Sequence, residues 1–287
     1  MDDSFEEVTI TVPGCYAQEI EDALAGLGAA GTYRAVWPAA AGGRERIVAY
    51  FTTVEWRRRG AALSAALSLL TIPREGVWHS MEILPSSRTT PVEDLFPPLI
   101  VGARLLIASI PGLETPPRMT IVIKPGTGFG TGRHETTRLC LELLEEHPVG
   151  RGWFLDVGAG SGILSLAAAR LGWTAGIALE IDPLAVENCA ANLALNPDVT
   201  GIQIVTGGPD CVRGTFPLIM ANLSPPVFQR YSRALVDRLA PGGMLIISGF
   251  TSVHRCLVLD GYSEFGLVPC AEKQAGDWHA VRLEKPV

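Results

Sequence analysis

The chain has 287 residues and a net charge of −7 at pH 7, which suits one large or two modest domains. The acidic balance argues against direct DNA binding, and a basic protein would be a better-matched partner. The six cysteines form no C-x-x-C pair, the five histidines have no metal-site spacing, and no uninterrupted apolar run reaches about 18 residues. A cytoplasmic protein with reduced, buried thiols, no metal and no membrane span is expected.

The first 84 residues predict a small βαββαβ domain. Hydrophobic periodicity indicates, in order, a strand at Val8–Val12, a helix at Tyr16–Leu27, strands at Tyr33–Trp37 and Ile47–Phe51, a helix at Val54–Leu70 and a strand at Val77–Leu84. This order is that of the ferredoxin-like split-βαβ sandwich, whose sheet has one open face. We therefore expect residues 1–84 to be a docking domain for a partner.

Residues 85–98 contain four prolines among Ser, Thr and acidic residues, so they are interpreted as a linker to a second domain at 99–287. Two strands are expected at Leu99–Ile110 and Arg118–Ile123. A Gly-rich stretch follows, from Lys124 to Thr137, and leads into a helix at Arg138–Glu146. Closely spaced glycines favour close approach of the backbone to a ligand, so we expect this loop to close over the ligand, with Phe129 as an apolar contact. A flexible linker is the alternative.

The stretch from Trp153 to Asn192 is typical of a nucleotide-type βαβ unit. A short apolar strand, Trp153–Val157, is followed by the turn G-A-G-S-G and a helix at Ile163–Leu171, and a second strand ends at Glu180. The dinucleotide pattern G-x-G-x-x-G would need a glycine where Ile163 stands. The turn therefore indicates a nucleotide-type ligand other than a dinucleotide, or a tight turn without ligand.

Charge narrows the choice of ligand. Asp156, two residues before Gly158, would repel a pyrophosphate but suits the ammonium and sulfonium of S-adenosylmethionine. Glu180 follows the glycines by roughly 20 residues, at a strand tip where an acid accepts ribose hydroxyls. Because NAD would use the same acid, Glu180 does not discriminate between the two cofactors.

The rest of the chain predicts a mostly parallel sheet. Strands are expected at Ile202–Val205, Leu218–Ala221, Met244–Ser248, Leu267–Glu272 and Trp278–Leu283, with a helix at Val227–Leu239 and a turn at Pro241–Gly243. Asn222 follows the fourth parallel strand, so it should share a rim with Gly158 and Glu180. A simple turn asparagine is the alternative reading of Asn222.

Several motifs together resemble one family. They are P-G-T-G-F-G-T-G-R-H-E-T-T at 125–137, L-D-V-G-A-G-S-G-I-L at 155–164, E-I-D-P at 180–183, A-N-L at 221–223 and P-G-G at 241–243. They resemble the PrmA-type methyltransferases of ribosomal protein L-eleven, within the class I S-adenosylmethionine-dependent methyltransferases. The resemblance implies an α/β fold with a Rossmann-like, mostly parallel seven-stranded sheet, preceded by a ferredoxin-like substrate-recognition domain.

The resemblance also implies site residues. The family's cofactor positions correspond to Thr137, Gly158, Glu180 and Asn222. Together with Phe129, Asp156 and Gly160, these are the expected S-adenosylmethionine contacts, and Asn222 is also the expected catalytic residue, orienting an amine for attack on the methyl group. His134 and Glu135 are candidates for a general base.

The sequence departs from the family at Lys124, Gly128 and Glu135, and a glutamate stands at 180 where the family has aspartate. The implied function is methylation of an amino group, on a lysine side chain or an α-amine, of an L-eleven-type ribosomal protein. Another protein lysine or a small molecule remains an alternative substrate. An NAD-binding oxidoreductase and a non-catalytic binding module remain more distant alternatives, and the oligomeric state stays open.

Overall fold

The computed structural model describes residues 5–13, 17–29, 31–35, 44–52, 81–84, 96–113, 115–124, 132–146 and 152–287. These residues divide into two units, one formed by those up to Leu84 and the other by those from Phe96 onwards. Phe96 belongs to the second unit because its carbonyl accepts a 2.9 Å bond from Ser109 Oγ and the Arg133 guanidinium lies over its ring. The described part of the second unit therefore begins at Phe96.

The first unit is a four-stranded antiparallel sheet with a helix. Its elements are β1 (Phe5–Pro13), α1 (Ala17–Gly26), β2 (Gly31–Ala35), β3 (Arg44–Thr52) and β4 (Met81–Leu84). The sheet order β2-β3-β1-β4 is that of a ferredoxin-like sheet. Val8, Ile10, Leu24, Ile47 and Phe51 pack together in its core. The predicted helix at Val54–Leu70 lies outside the described residues.

A small sheet opens the second unit. It contains β5 (Leu99–Val101), β6 (Leu105–Ala108) and β7 (Met119–Val122), with β5 antiparallel and β7 parallel to β6. The single strand expected at Leu99–Ile110 is instead a hairpin. The chain reverses at Gly102, whose φ of 57° favours glycine, and the apolar run on either side concealed this turn.

The main sheet of the second unit has seven strands. Its elements are α2 (Glu135–Glu145), β8 (Trp153–Val157), α3 (Ile163–Arg170), β9 (Ala175–Glu180), α4 (Pro183–Ala194), β10 (Ile202–Thr206), β11 (Phe216–Asn222), α5 (Pro225–Arg238), β12 (Leu239–Thr251), α6 (Ser252–Ser263), β13 (Val268–Ala275) and β14 (Trp278–Glu284). The order is β10-β9-β8-β11-β12-β14-β13, and β14 alone runs antiparallel to its neighbours. The predicted class I methyltransferase sheet is confirmed.

Helices cover both faces of this sheet. Successive residues of β8 and β11 alternate between two buried clusters, so that Phe154 and Leu218 join one cluster while Leu155 and Ile219 join the other. Helices α2 and α3 contribute to the first cluster, and α5 and α6 to the second. A strand buried on both faces explains why β8 and β11 are continuous apolar runs in the sequence.

Three further expectations differ from the structure. The turn expected at Pro241–Gly243 lies within β12. Helix α6 was not predicted, because its apolar residues do not form one stripe: Val253 is 85% exposed. The expectation of buried thiols holds for Cys140 and Cys189 but is wrong for Cys211, Cys256 and Cys270, which are exposed and free. Among the described residues, no helix has the length and apolar character to cross a membrane.

Candidate functional site

The ends of three adjacent parallel strands bring the polar candidates to one rim. In the sheet, β8, β9 and β11 end their pairing in register at Val157, Leu179 and Ala221. The next residue along each strand is a predicted site residue, namely Gly158, Glu180 and Asn222. Ligands of open parallel sheets bind at this carboxyl edge, so the strand register itself assembles the candidate site.

The glycine turn after β8 is required partly by packing. Gly158, Gly160 and Gly162 have φ angles of 72°, 54° and 80°, in the left-handed region. A Cβ on Gly158 would lie 2.5 Å from Leu223 Cδ2, and one on Gly162 would lie 2.7 Å from Cys189 Sγ. The glycines at 158 and 162 are thus explained by backbone conformation and close packing, in addition to any ligand.

Asp156 is fully buried near the end of β8. Its Oδ2 accepts bonds from the backbone N and the hydroxyl of Ser165, at 3.0 and 2.7 Å. Its Oδ1 is buried with no hydrogen-bond partner among the described residues. The pKa of Asp156 is raised to about 7, chiefly by burial and slightly by the nearby charge of Glu180, against the lowering effect of the bonds from Ser165. A buried carboxylate oxygen without a partner is a position that a cationic ligand or a bridging water can occupy.

Glu180 is almost buried and holds the backbone around it. Its Oε1 accepts from the N–H groups of Ile181 and Asp182 at 2.7 and 3.0 Å, and its Oε2 accepts from the N–H of Gly160 at 2.9 Å. A carboxylate has about four acceptor positions, so three backbone donors leave one for a ligand hydroxyl. Glu180 therefore joins the glycine turn to the tip of β9.

Asn222 is fixed by two buried hydroxyls at the start of α2. Its Nδ2 donates to Thr136 Oγ1 at 3.1 Å and to Thr137 Oγ1 at 3.3 Å. Both hydrogens of the amide nitrogen are thereby directed toward α2, so the amide oxygen is the acceptor for other groups. Thr137 is only 1% exposed, which makes it a support for Asn222.

His134 caps helix α2 and extends the network around Asn222. Its Nδ1 lies 2.8 Å from Thr136 Oγ1 and accepts from Thr136 N at 3.3 Å. Because His134 Nδ1 accepts from Thr136 N, it carries no hydrogen, so the Thr136 hydroxyl donates to it and the ring proton belongs on Nε2. This arrangement makes His134 an orienting group. The other candidate base, Glu135, is exposed on the first turn of α2.

Of the predicted site residues, Phe129 lies outside the described residues, as does Gly128. Three residues of this rim were not found from the sequence. Ser165 holds Asp156, and Asn192 donates to Ser161 O within the glycine turn at 2.9 Å. Ile181 is 69% exposed directly after Glu180, which is unusual for a large apolar residue. Ser165 and Asn192 are polar residues inside the apolar helices α3 and α4, and this pattern is the sequence signal that could have identified them.

In the described part of the chain, no group of three or more His, Cys, Asp or Glu residues could hold a metal ion.

Comparisons with known proteins show similarity to ribosomal protein L11 methyltransferases. A family model described as "Ribosomal protein L11 methyltransferase (PrmA)" matches residues 4–286. A ribosomal protein L11 methyltransferase of Pelobacter propionicus is 42% identical over 195 residues, which are 65% of this chain and 62% of that protein. The protein of the same description from Trichlorobacter lovleyi is 39% identical over 198 residues, covering 66% of this chain and 65% of the relative. The matched region thus spans just under two thirds of the length of these curated relatives.

A solved structure agrees with these matches. The crystal structure of a ribosomal protein L11 methylase from Lactobacillus delbrueckii subsp. bulgaricus aligns with a TM-score of 0.61 and 25% sequence identity. The alignment covers 66% of this chain and 99% of that chain.

Proposed function

The chain belongs to the ribosomal protein L11 methyltransferase (PrmA) family, and from this premise we propose that it methylates an amino group of an L11-type ribosomal protein with S-adenosylmethionine as donor. The observation that carries the proposal is the convergence of Asp156, Glu180 and Asn222 at one sheet rim. A ribosomal substrate would place the protein in the cytoplasm and is consistent with an acidic chain of net charge −7, which suits a basic partner.

The residues at the rim fit S-adenosylmethionine. The unpaired Oδ1 of Asp156 suits a ligand that carries positive charge, and the remaining acceptor position of Glu180 suits a ribose hydroxyl. The exposed side chain of Ile181, next to Glu180, offers an apolar face to the adenine ring. Gly158 and Gly160 allow the backbone of the turn to approach the ligand. When bound, this cofactor supplies a methyl group already activated by its sulfonium.

The role of the protein is then to orient the amine. The Oδ1 atom of Asn222 accepts an N–H of the incoming amine, which directs the nitrogen lone pair along the methyl axis. Thr136 and Thr137 fix the direction of the Asn222 amide, and His134 fixes Thr136. A site that excludes water favours the neutral, nucleophilic form of a lysine amine. No covalent enzyme intermediate would be needed. The amine nitrogen would bond to the methyl carbon as the methyl–sulfur bond breaks, S-adenosylhomocysteine would leave as a neutral thioether, and the methylated nitrogen would release its proton.

The substrate can be tested with labelled S-adenosylmethionine and a purified L11-type protein from the same source. We expect label in that protein. We also expect Asn222→Ala to lower turnover about 100-fold at saturating cofactor, because a displacement of the reacting amine by about 1 Å lowers the rate by about that factor. A mutant within about threefold of wild type, a gap below about 1 kcal/mol, would reduce Asn222 to a turn residue.

Two controls separate the alternatives. Titration with NADH in place of S-adenosylmethionine should show no binding, because Asp156 repels a pyrophosphate. If an extract is labelled but the L11-type protein is not, the methyltransferase activity stands and the substrate assignment fails. That result would direct attention to the departures from the family at Lys124, Gly128 and Glu135. Cofactor binding without labelling of the extract would support a non-catalytic binding module.

A further inference from the structure

The side chain of Asn192, in α4, lies fully buried between two segments that are distant in sequence. Its Nδ2 donates to the carbonyl of Ser161 in the glycine turn at 2.9 Å. Its Oδ1 accepts from the backbone N of Lys124, just beyond β7, at 2.9 Å. One amide group therefore holds the glycine turn and the end of β7 at the same time.

Asn196, four residues later and just past the end of α4, bonds β7 and the carbonyl of Asn192 but not the glycine turn. Its Oδ1 accepts from Val122 N at 2.9 Å, and its Nδ2 donates to Val122 O and Asn192 O, both at 2.8 Å. Val122 and Lys124 direct their backbone groups to the same side, since alternate residues of a strand do so. The two asparagines thus bond the edge of β7 in the way that a neighbouring strand would, and Asn192 adds the link to the turn.

The chemistry of these positions requires an amide. Ser161 O needs a donor and Lys124 N needs an acceptor, and a neutral amide is a side chain that supplies both without a buried charge. Removing the amide would leave a buried carbonyl and a backbone N–H without these partners, which is costly. Asn192 was not among the residues expected from the strand ends, because it lies in α4 and bonds the backbone of the glycine turn from there.

We propose that Asn192 is a positioning residue for the cofactor site, an inference that rests on the proposed function. Ser161 stands between Gly160 and Gly162, and the N–H of Gly160 donates to Glu180. By fixing the Ser161 carbonyl, Asn192 fixes the turn that presents Gly160 to Glu180 and thereby the acceptor for the ribose. By holding Lys124, it also sets where the chain leaves β7 on the way to His134 and α2.

Asn192→Leu and Asn196→Leu form a matched pair for the test. Both residues are at most 1% exposed, both bond β7, and only Asn192 bonds the glycine turn. We expect Asn192→Leu to weaken S-adenosylmethionine binding about tenfold by calorimetry, which corresponds to about 1.4 kcal/mol. Asn196→Leu should lower the melting temperature comparably and leave cofactor affinity within about twofold of wild type.

Asn192→Asp provides a second variant if the leucine substitution prevents folding. An ionised aspartate still accepts from Lys124 N but cannot donate to Ser161 O. We expect slow hydrogen exchange of the Lys124 amide to persist in Asn192→Asp and to be lost in Asn192→Leu, while both bind the cofactor more weakly.

The possible outcomes are distinct. If wild type binds S-adenosylmethionine and the Asn192 variants bind it within about twofold as tightly, the positioning role is overturned and the proposed function stands. Equal weakening by Asn196→Leu would also overturn it, since the loss would then follow general destabilisation. If the wild-type chain binds no S-adenosylmethionine, the proposed function itself is contradicted, and so is the positioning role that rests on it.

Discussion

We expect the buried carboxyl of Asp156 to make cofactor affinity depend on pH. Burial raises its pKa to about 7, so at about pH 6 most of the ligand-free protein carries a neutral Asp156. A cationic ligand beside Oδ1 favours the carboxylate, so binding must expel this proton at low pH. We expect the affinity for S-adenosylmethionine to rise about eightfold between about pH 6 and about pH 7.5, measured by calorimetry.

Asp156→Asn is the control for this prediction. The amide cannot ionise, so the mutant should bind more weakly at the higher pH and should lose the pH-dependent gain. Other titratable groups contribute to both pH profiles, so the difference in affinity between wild type and mutant at each pH is the quantity to compare. An identical pH profile in the two proteins would mean that no cationic ligand lies beside Asp156.

Glu180 accepts from the backbone of the glycine turn, so we expect it to affect both the turn and cofactor affinity. We expect Glu180→Ala to weaken S-adenosylmethionine binding by about 2–3 kcal/mol, because a charged acceptor for the ribose and the anchor for Gly160 N–H are lost together. Glu187→Ala is the matched control, since it removes an exposed carboxylate from the following helix without touching the turn. Unchanged affinity in a folded Glu180→Ala protein would mean that the ligand does not bind at the tip of β9.

The sequence could identify residues that directly follow a strand but not those that support them. Gly158, Glu180 and Asn222 were found because each ends an apolar run, and strand register then brings them together. Asn192 was missed because its partners are 31 and 68 residues away in the chain. Polar residues inside a helix do not reveal which distant backbone group they bond, and only tertiary structure supplies that information.

At the scale of elements, the pairing of β8 with β9 depends on one glycine. Phe154 lies directly opposite Gly176, and a Cβ on Gly176 would lie 2.1 Å from the Phe154 ring. Because Phe154 is fully buried, the ring has little room to move. We expect Gly176→Ala to lower the free energy of unfolding by about 1–3 kcal/mol through overpacking, measured by urea denaturation of the full chain.

Gly261→Ala is the control for Gly176→Ala. Gly261 lies in α6, where an added Cβ would meet no atom within 4 Å, and alanine is the better helix former. This second change should stabilise the protein by about 0.5–1 kcal/mol. If both substitutions shift stability in the same direction, the contact between Phe154 and Gly176 does not govern the pairing of these strands.

Element prediction succeeded where an element is buried on both faces and failed where the local pattern is mixed. The central strands β8 and β11 are largely apolar runs, and the bounds of each were predicted to within about two residues. Helix α6 was missed because Val253 and Leu257 are exposed, which removes the helical stripe. The hairpin of β5 and β6 was missed because a lone glycine between apolar residues is a weak turn signal.

At the scale of the whole molecule, the chain divides its candidate functions between two units. All described candidate cofactor residues, from Thr137 to Asn222, belong to the unit that begins at Phe96. Among the described residues, the first unit contributes a four-stranded antiparallel sheet and no predicted cofactor residue. We propose that residues 1–84 select the protein substrate, as the ferredoxin-like architecture and the resemblance of the chain imply.

Deleting residues 1–84 tests this division of roles. The cut leaves Phe96 in place, so the carbonyl of Phe96 still accepts from Ser109 and its ring still contacts Arg133. We expect S-adenosylmethionine affinity to stay within about threefold of the full chain, a change below about 1 kcal/mol. Methylation of the L11-type protein should fall at least about 100-fold in kcat/KM, because the substrate amine is no longer held near the methyl group. A short lysine peptide, which cannot use a docking domain, should be methylated equally by both forms. If the truncated enzyme methylates the whole protein as fast as the full chain does, substrate selection resides in the second unit.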